Sequence, residues 1–134
     1  MLRSRFHWLL SRGLALITVT GRRTGRRYTI PVGYLETPDA VIVLVGDAPT
    51  KTWWRNYMQP GPIEMRLRGA HRSGRAVVVP SGTEQFRRTA EESFRRSRVI
   101  PRLFGIAFDP SGELTVEDAA RLARRVAIVR IALD

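Results

Sequence analysis

The sequence predicts a mainly β (α+β) domain in which six antiparallel strands close into a small barrel flanked by helices. Three observations carry that expectation. Apolar residues alternate with polar ones along several short segments, as half-buried strands require. Clusters of Gly, Pro and Asp separate those segments at short intervals. A last apolar run returns at the C-terminus after two helical patterns and supplies the strand that closes the sheet. The 134 residues show no linker, repeat or low-complexity segment and are expected to form one domain, 1–134. A chain of this size buries roughly two thirds of the surface it exposes when unfolded, enough for a core without staples.

Each element follows from its local pattern. Leu2, Phe6, Leu9 and Leu10 recur at helical spacing beside Arg3, Arg5 and Arg12, predicting an amphipathic opening helix that caps the core or lies on an anionic membrane surface. "LALITVT" is the first strand, and "RYTIPVGYLE" the second, with Tyr28, Ile30, Val32 and Tyr34 on one face. The glycine-bracketed segment from Gly21 to Gly25 joins them as a hairpin. "VIVLVG", apolar throughout, reads as a central third strand, and "WWRNYM" as a short aromatic helix ended by "PGP". "IEMRLRG" then alternates strictly, with Ile63, Met65 and Leu67 inward, and "HRSGRAVVVP" is the fifth strand. A polar helix is expected from about Thr83 to Arg98, a second over "TVEDAARLARR" with Thr115 as N-cap, and "VAIVRIAL" as the sixth strand.

Composition excludes several chemistries. Without cysteine there are no disulfides and no thiolate metal sites, and a reducing, cytoplasmic setting is the natural one. The apolar stretch near the N-terminus is broken by Ser11, Arg12 and Gly13 and falls short of the roughly 18 residues that span a bilayer. A soluble protein, with at most peripheral membrane contact through the basic opening helix, is therefore expected. Of 23 basic side chains only Lys51 is not arginine, and the net charge is +11. Planar guanidinium forks match phosphate and carboxylate, although arginine-rich coding gives the same bias.

No nucleophile elbow is present, and His7 and His71 lack partners at triad or metal-ligand spacing, so each reads as a polar side chain at a core edge and no metal is expected. "GDAPTKT" lacks the second glycine of a phosphate loop. Glu91, Glu92, Glu113, Glu117 and Asp118 have basic neighbours at helical spacing and read as solvated pairs. No catalytic side chain is indicated, so any reaction would draw its reactivity from a cofactor.

Two windows point to a ligand. In the first, Arg22, Arg23, Arg26 and Arg27 fall within six positions, beside Thr20 and Thr24, and the strand that follows presents Thr29, Pro31 and Gly33 opposite its apolar face. Small or ring-closed side chains there leave the backbone open to a flat ring, with the arginines facing an anionic tail. A hairpin of solvated arginines, or a nonspecific nucleic-acid patch, fits the same residues. In the second window, "KTWWRNYM", Asn56 lies three positions after Trp53, one tryptophan packs in the barrel while the other borders a site, and Lys51 and Thr52 stand at a helix start that favours anions.

"TGRRTGRR", "IPVGY" and "WWRN" together resemble the deazaflavin-dependent nitroreductase and quinone reductase family, split β-barrel proteins related to the flavin-binding pyridoxamine phosphate oxidases. The likeness runs from about Leu14 to Val79, and weakly on to the end, so it covers most of the chain. It implies an FMN-binding split-barrel fold and binding of coenzyme F420, an 8-hydroxy-5-deazaflavin with a phosphate and oligoglutamate tail. The tail would be held near Arg22, Arg23 and Thr24, with Arg26 and Arg27 just behind. The ring would pack along Tyr28, Thr29, Ile30, Pro31 and Val32, and Val45, Gly46, Trp53 and Asn56 would close the pocket, with Lys51 beside it. Tyr28 and Asp47 stand where the family often has basic residues. The implied activity is hydride transfer to a quinone, nitroaromatic or conjugated carbonyl, in a pocket to which the opening helix, Phe104 and Phe108 contribute. A homodimer is the family expectation. The alternatives are FMN in place of F420, a noncatalytic flavin or small-ligand carrier of the same fold, and, last, a basic nucleic-acid-binding barrel. Against the last, the aromatics are not interleaved with arginines along one strand face.

Overall fold

A computed structural model describes residues 14–134, so the expected opening helix and His7 lie outside the described residues. The sheet has seven strands rather than six, all antiparallel: β1 (Leu14–Thr20), β2 (Arg27–Gly33), β3 (Leu35–Glu36), β4 (Val41–Val45), β5 (Gly61–Leu67), β6 (Ala70–Val79) and β7 (Ala127–Leu133). Three helices follow β6: α1 (Glu84–Arg96), α2 (Val99–Leu103) and α3 (Val116–Ala123). The extra strand arises because the second expected strand breaks at Tyr34.

That break shapes the sheet. The strand order is β2-β1-β5-β6-β7-β4-β3, so β2 and β3, consecutive in the chain, form its two opposite edges. Tyr34 alone joins those edges, and one residue spans only about 3.5 Å. The sheet must therefore roll until its edges meet, and β2 and β4 do come into contact, with no ladder between them. The barrel is split along this seam rather than closed. β4 is consequently the penultimate strand and not a central one; its five apolar residues reflect burial on both faces, not a central position.

Alternation sorts the side chains, on β5 as the sequence pattern predicts. Ile17 and Val19 of β1, Ile63, Met65 and Leu67 of β5, and Val129 and Ile131 of β7 fill the barrel interior. Ile42, Val79 and Ile128 face outward and pack under α1 and α3 with Phe86, Phe94 and Leu122. Burying each such side chain contributes about 1.5–3 kcal/mol. The helices begin where the sequence places them: Thr83 Oγ1 accepts from Phe86 N at 3.1 Å, and Thr115 Oγ1 accepts from Asp118 N at 3.1 Å. The two-residue turn Arg68–Gly69 has φ of 47° and 81°, the left-handed pair that a tight hairpin demands.

Glu91 departs from expectation. It is buried, its Oε2 accepts from Leu114 N at 2.9 Å, and Arg87 and Arg95 pair with it at 3.0 and 2.9 Å. The i+4 pattern that reads as a solvated pair here faces the loop before α3, which seals it. His71 is the reverse case: it is exposed on β6, with Nε2 3.2 Å from Glu64 Oε1, rather than at a core edge.

Candidate functional site

Register places both ligand windows at one end of the barrel. Thr20 pairs with Arg27, Gly61 with Ala76, Val79 with Ile128 and Val45 with Ala127, so the end of β1, the start of β2, the end of β4 and the start of β5 share a rim. The hairpin 21–26 and the segment 46–60 both project from it.

The hairpin is folded on itself. Gly21 N donates to Arg26 O at 2.8 Å, Gly25 N donates to Gly21 O at 2.9 Å, and Thr24 Oγ1 accepts from Arg26 N at 3.2 Å. Gly25 adopts φ 70°, which a side chain would strain. The chain is thus fixed while Arg22, Arg23 and Arg26 stay exposed, and among the described residues none of the three has a carboxylate within ion-pairing distance. Arg27 stands apart from them: it pairs with Glu64 on the outer face of β5.

The second window reaches the first through a single bond. Arg22 N donates to Asn56 Oδ1 at 3.0 Å, and Asn56 Nδ2 donates to Trp53 O at 2.9 Å. The expected aromatic helix is a 3₁₀ segment, Trp53–Tyr57, whose three-residue repeat sets Asn56 above Trp53. Trp53 is the barrel tryptophan, buried edge-to-face against Tyr57 with ring centroids 6.4 Å apart. Trp54 is half-buried; its Nε1 donates to Ala48 O at 2.9 Å, Arg55 lies 5.4 Å over its ring, and it borders a cleft with Met58 and Phe86 on the helix side. Tyr57 OH donates to Pro62 O at 3.1 Å, and burial, with a smaller effect of Tyr28, pushes its pKa up to about 12.

The anion-binding helix start at Lys51 and Thr52 does not form. Lys51 N already donates to Ala48 O at 3.1 Å, and the five-residue 3₁₀ segment after it is too short to gather free amides. Lys51 itself is exposed.

Along β2 the residues divide between two faces. Tyr28, Ile30 and Val32 pack against the barrel core, while Thr29 and Pro31 are exposed on the outside. What Tyr28 to Val32 share is the edge of the sheet. β3 pairs only with Val41 and Ile42, so above it the edge of β2 faces Val43 to Val45 of β4 across the seam. Val45 is buried there, and Gly46 follows, with Phe104 Cε1 3.6 Å from where a β-carbon of residue 46 would sit. A cleft of about 570 Å³ begins at Gly33, two residues beyond Pro31, and runs along Leu35, Ile42 and Leu44 to Phe104. Phe108 lies elsewhere, edge-to-face with Phe94 at 5.5 Å. Arg124 and Arg125, just before β7, belong to the same rim as the hairpin and carry no local sequence signal; only the strand register locates them. Among the described residues no three His, Asp or Glu side chains are placed to hold a metal ion, and no helix is long and apolar enough to cross a membrane.

A half-open antiparallel barrel with helices on one flank is the split-barrel architecture, and solved structures share the fold. The heme storage protein HutZ of Vibrio cholerae matches with TM-score 0.56 at 11% identity, covering 98% of this chain and 89% of its own. An FAD-binding protein of Mesorhizobium loti matches with TM-score 0.54 at 10% identity, covering 96% and 86%. A Listeria innocua protein provisionally assigned to the pyridoxamine 5′-phosphate oxidases matches with TM-score 0.51 at 10% identity, covering 100% and 94%. No curated protein matches the sequence. Within the class, the chain belongs to the F420H(2)-dependent quinone reductase family, whose model matches residues 7–97. Both ligand windows fall inside that span.

Proposed function

We propose that this chain binds coenzyme F420 at the seam and reduces an electrophilic acceptor, such as a quinone, nitroaromatic or conjugated carbonyl. The Arg22–Asn56 bond carries the reading, because it ties the arginine hairpin to the aromatic segment beside the open sheet edge. The donor set suits the group. Arg22, Arg23 and Arg26, unpaired among the described residues, match an anionic tail with charge-assisted bonds. The edge of β2 offers unpaired backbone groups to a planar ring, and Val45, Gly46 and Trp53 would close the pocket around it. Reduced F420, when bound, supplies the hydride. The residues of this chain bind, orient and exclude water. Arg27, held by Glu64, contributes to the site's edge rather than to the tail. The outer face of β1, β2 and β5 carries no helix among the described residues, and a homodimer through that face is part of the reading.

Titration of the purified protein with F420, FMN and FAD, followed by fluorescence quenching, tests the assignment. F420 should bind tightest. Arg22→Ala and Arg23→Ala should each weaken it by about 1.5–3 kcal/mol, the scale of a charge-assisted hydrogen bond. Unchanged midpoints for both variants at low salt would remove the tail site; binding without turnover of any acceptor would favour a noncatalytic carrier.

A further inference from the structure

We propose that α2 is a docking surface for an anionic lipid bilayer, at the outer lip of the cleft of about 570 Å³ that Val99 and Leu103 also line. Val99 and Leu103, four residues apart, are 60% and 70% exposed, while Pro101 on the opposite side is buried. Arg98 and Arg102 form the adjoining stripe at the same spacing. Their neighbours serve the fold: Arg95 pairs with Glu91 at 2.9 Å and donates to Gly112 O at 2.8 Å, and Arg96 pairs with Glu92 at 3.3 Å and donates to Glu36 O at 3.1 Å. Arg98 and Arg102 have no carboxylate within ion-pairing distance among the described residues. They border a cleft of about 560 Å³ whose one carboxylate, Asp109, is turned toward Ser111, with Oδ1 3.0 Å from its N and 2.8 Å from its Oγ.

Two apolar tips standing beside two uncompensated guanidiniums suit an interface that is itself apolar below and anionic at its surface. A soluble polyanion would leave Val99 and Leu103 in water. A neutral apolar partner would leave the arginines unmatched. The bilayer satisfies both stripes at once.

The test is sedimentation of the full chain with phosphatidylcholine vesicles, with and without about one third phosphatidylserine. The unaltered chain should bind the anionic vesicles selectively. The double variant Arg98→Ala, Arg102→Ala should lose about 30-fold in partition. Val99→Ser with Leu103→Ser should lose about tenfold or more. Arg72→Ala with Arg75→Ala removes the same charge from exposed positions on β6 and should lose less than about threefold. Because the chain has no cysteine, a nitroxide on Leu103→Cys reports a single site, and vesicles should shield it from a water-soluble relaxant. Equal losses for the two arginine pairs, or a label that stays fully water-accessible, would overturn the proposal. A loss confined to the Arg98 and Arg102 pair would assign the surface to a soluble polyanion and overturn it equally.

Discussion

The backbone N–H of Arg22 and the side-chain carbonyl of Asn56, 34 residues apart, meet at 3.0 Å. The bond fixes a charged hairpin against an element anchored inside the barrel, since Asn56 also holds Trp53 O and Trp53 is buried. Asn56→Ala removes both bonds and should cost about 1–2 kcal/mol of stability by urea unfolding. F420 affinity should fall with it although no charge is lost, a distinction that Arg22→Ala cannot make. An Asn56→Ala protein with unaltered stability and affinity would show that the hairpin holds its position without this link.

Glu91 should dominate the acid sensitivity of the fold. The Leu114 N–H, acting against burial and ahead of the Arg95 and Arg87 charges, holds its carboxyl below the usual carboxylate range. A depressed folded-state pKa stabilises fully above the unfolded value and is lost as pH falls through the folded one. Glu91→Gln should therefore destabilise the protein by about 2–3 kcal/mol near neutrality, the low side for a one-sided removal because Arg95 is partly solvated. The gap to the parent should close on acidification, as read by denaturation midpoints from pH 7 downward. A gap that stays constant with pH would exclude the ionised form from the effect.

Tyr57 acts at the alkaline end. Its raised pKa means that stability is complete below the ordinary tyrosine value of 10.0 and declines as pH rises toward about 12. Tyr57→Phe should lose about 1 kcal/mol with the bond to Pro62 O and should flatten that alkaline decline. Ultraviolet titration should show one tyrosine fewer ionising late.

Gly74 lies opposite Leu133 in the β6–β7 ladder. A β-carbon there would overlap the Ala132 carbonyl oxygen, which is backbone and cannot turn aside. Gly74→Ala should cost about 3 kcal/mol or more, at the upper end for overpacking, and lower the melting temperature accordingly.

The sequence pattern carried the hairpin, the inward face of β5 and the N-cap at Thr115, because each is decided within a few residues. The readings that changed were tertiary in origin. "RYTIPVGYLE" alternates without interruption, so nothing local announces that Tyr34 steps from one edge of the sheet to the other. Apolar β4 reads the same whether its two faces are buried by central position or by a helix layer. Glu91 has the spacing of a surface pair, and only Leu114, 23 residues on, makes it interior. Within the site, strand alternation divides Tyr28 to Val32 between two faces, as the sequence pattern has it, and what the five residues share is the sheet edge.

The seam has a mechanical side. Tyr34 pins β2 to β3 at one end of the gap, whereas at the rim nothing covalent bridges β2 and β4. Any widening must then be hinged, small beside Gly33 and greatest beside Arg26 and Gly46. A flat guest entering by this route would slide in rim-first, with its charged trailing end last to leave solvent and first to feel the arginines.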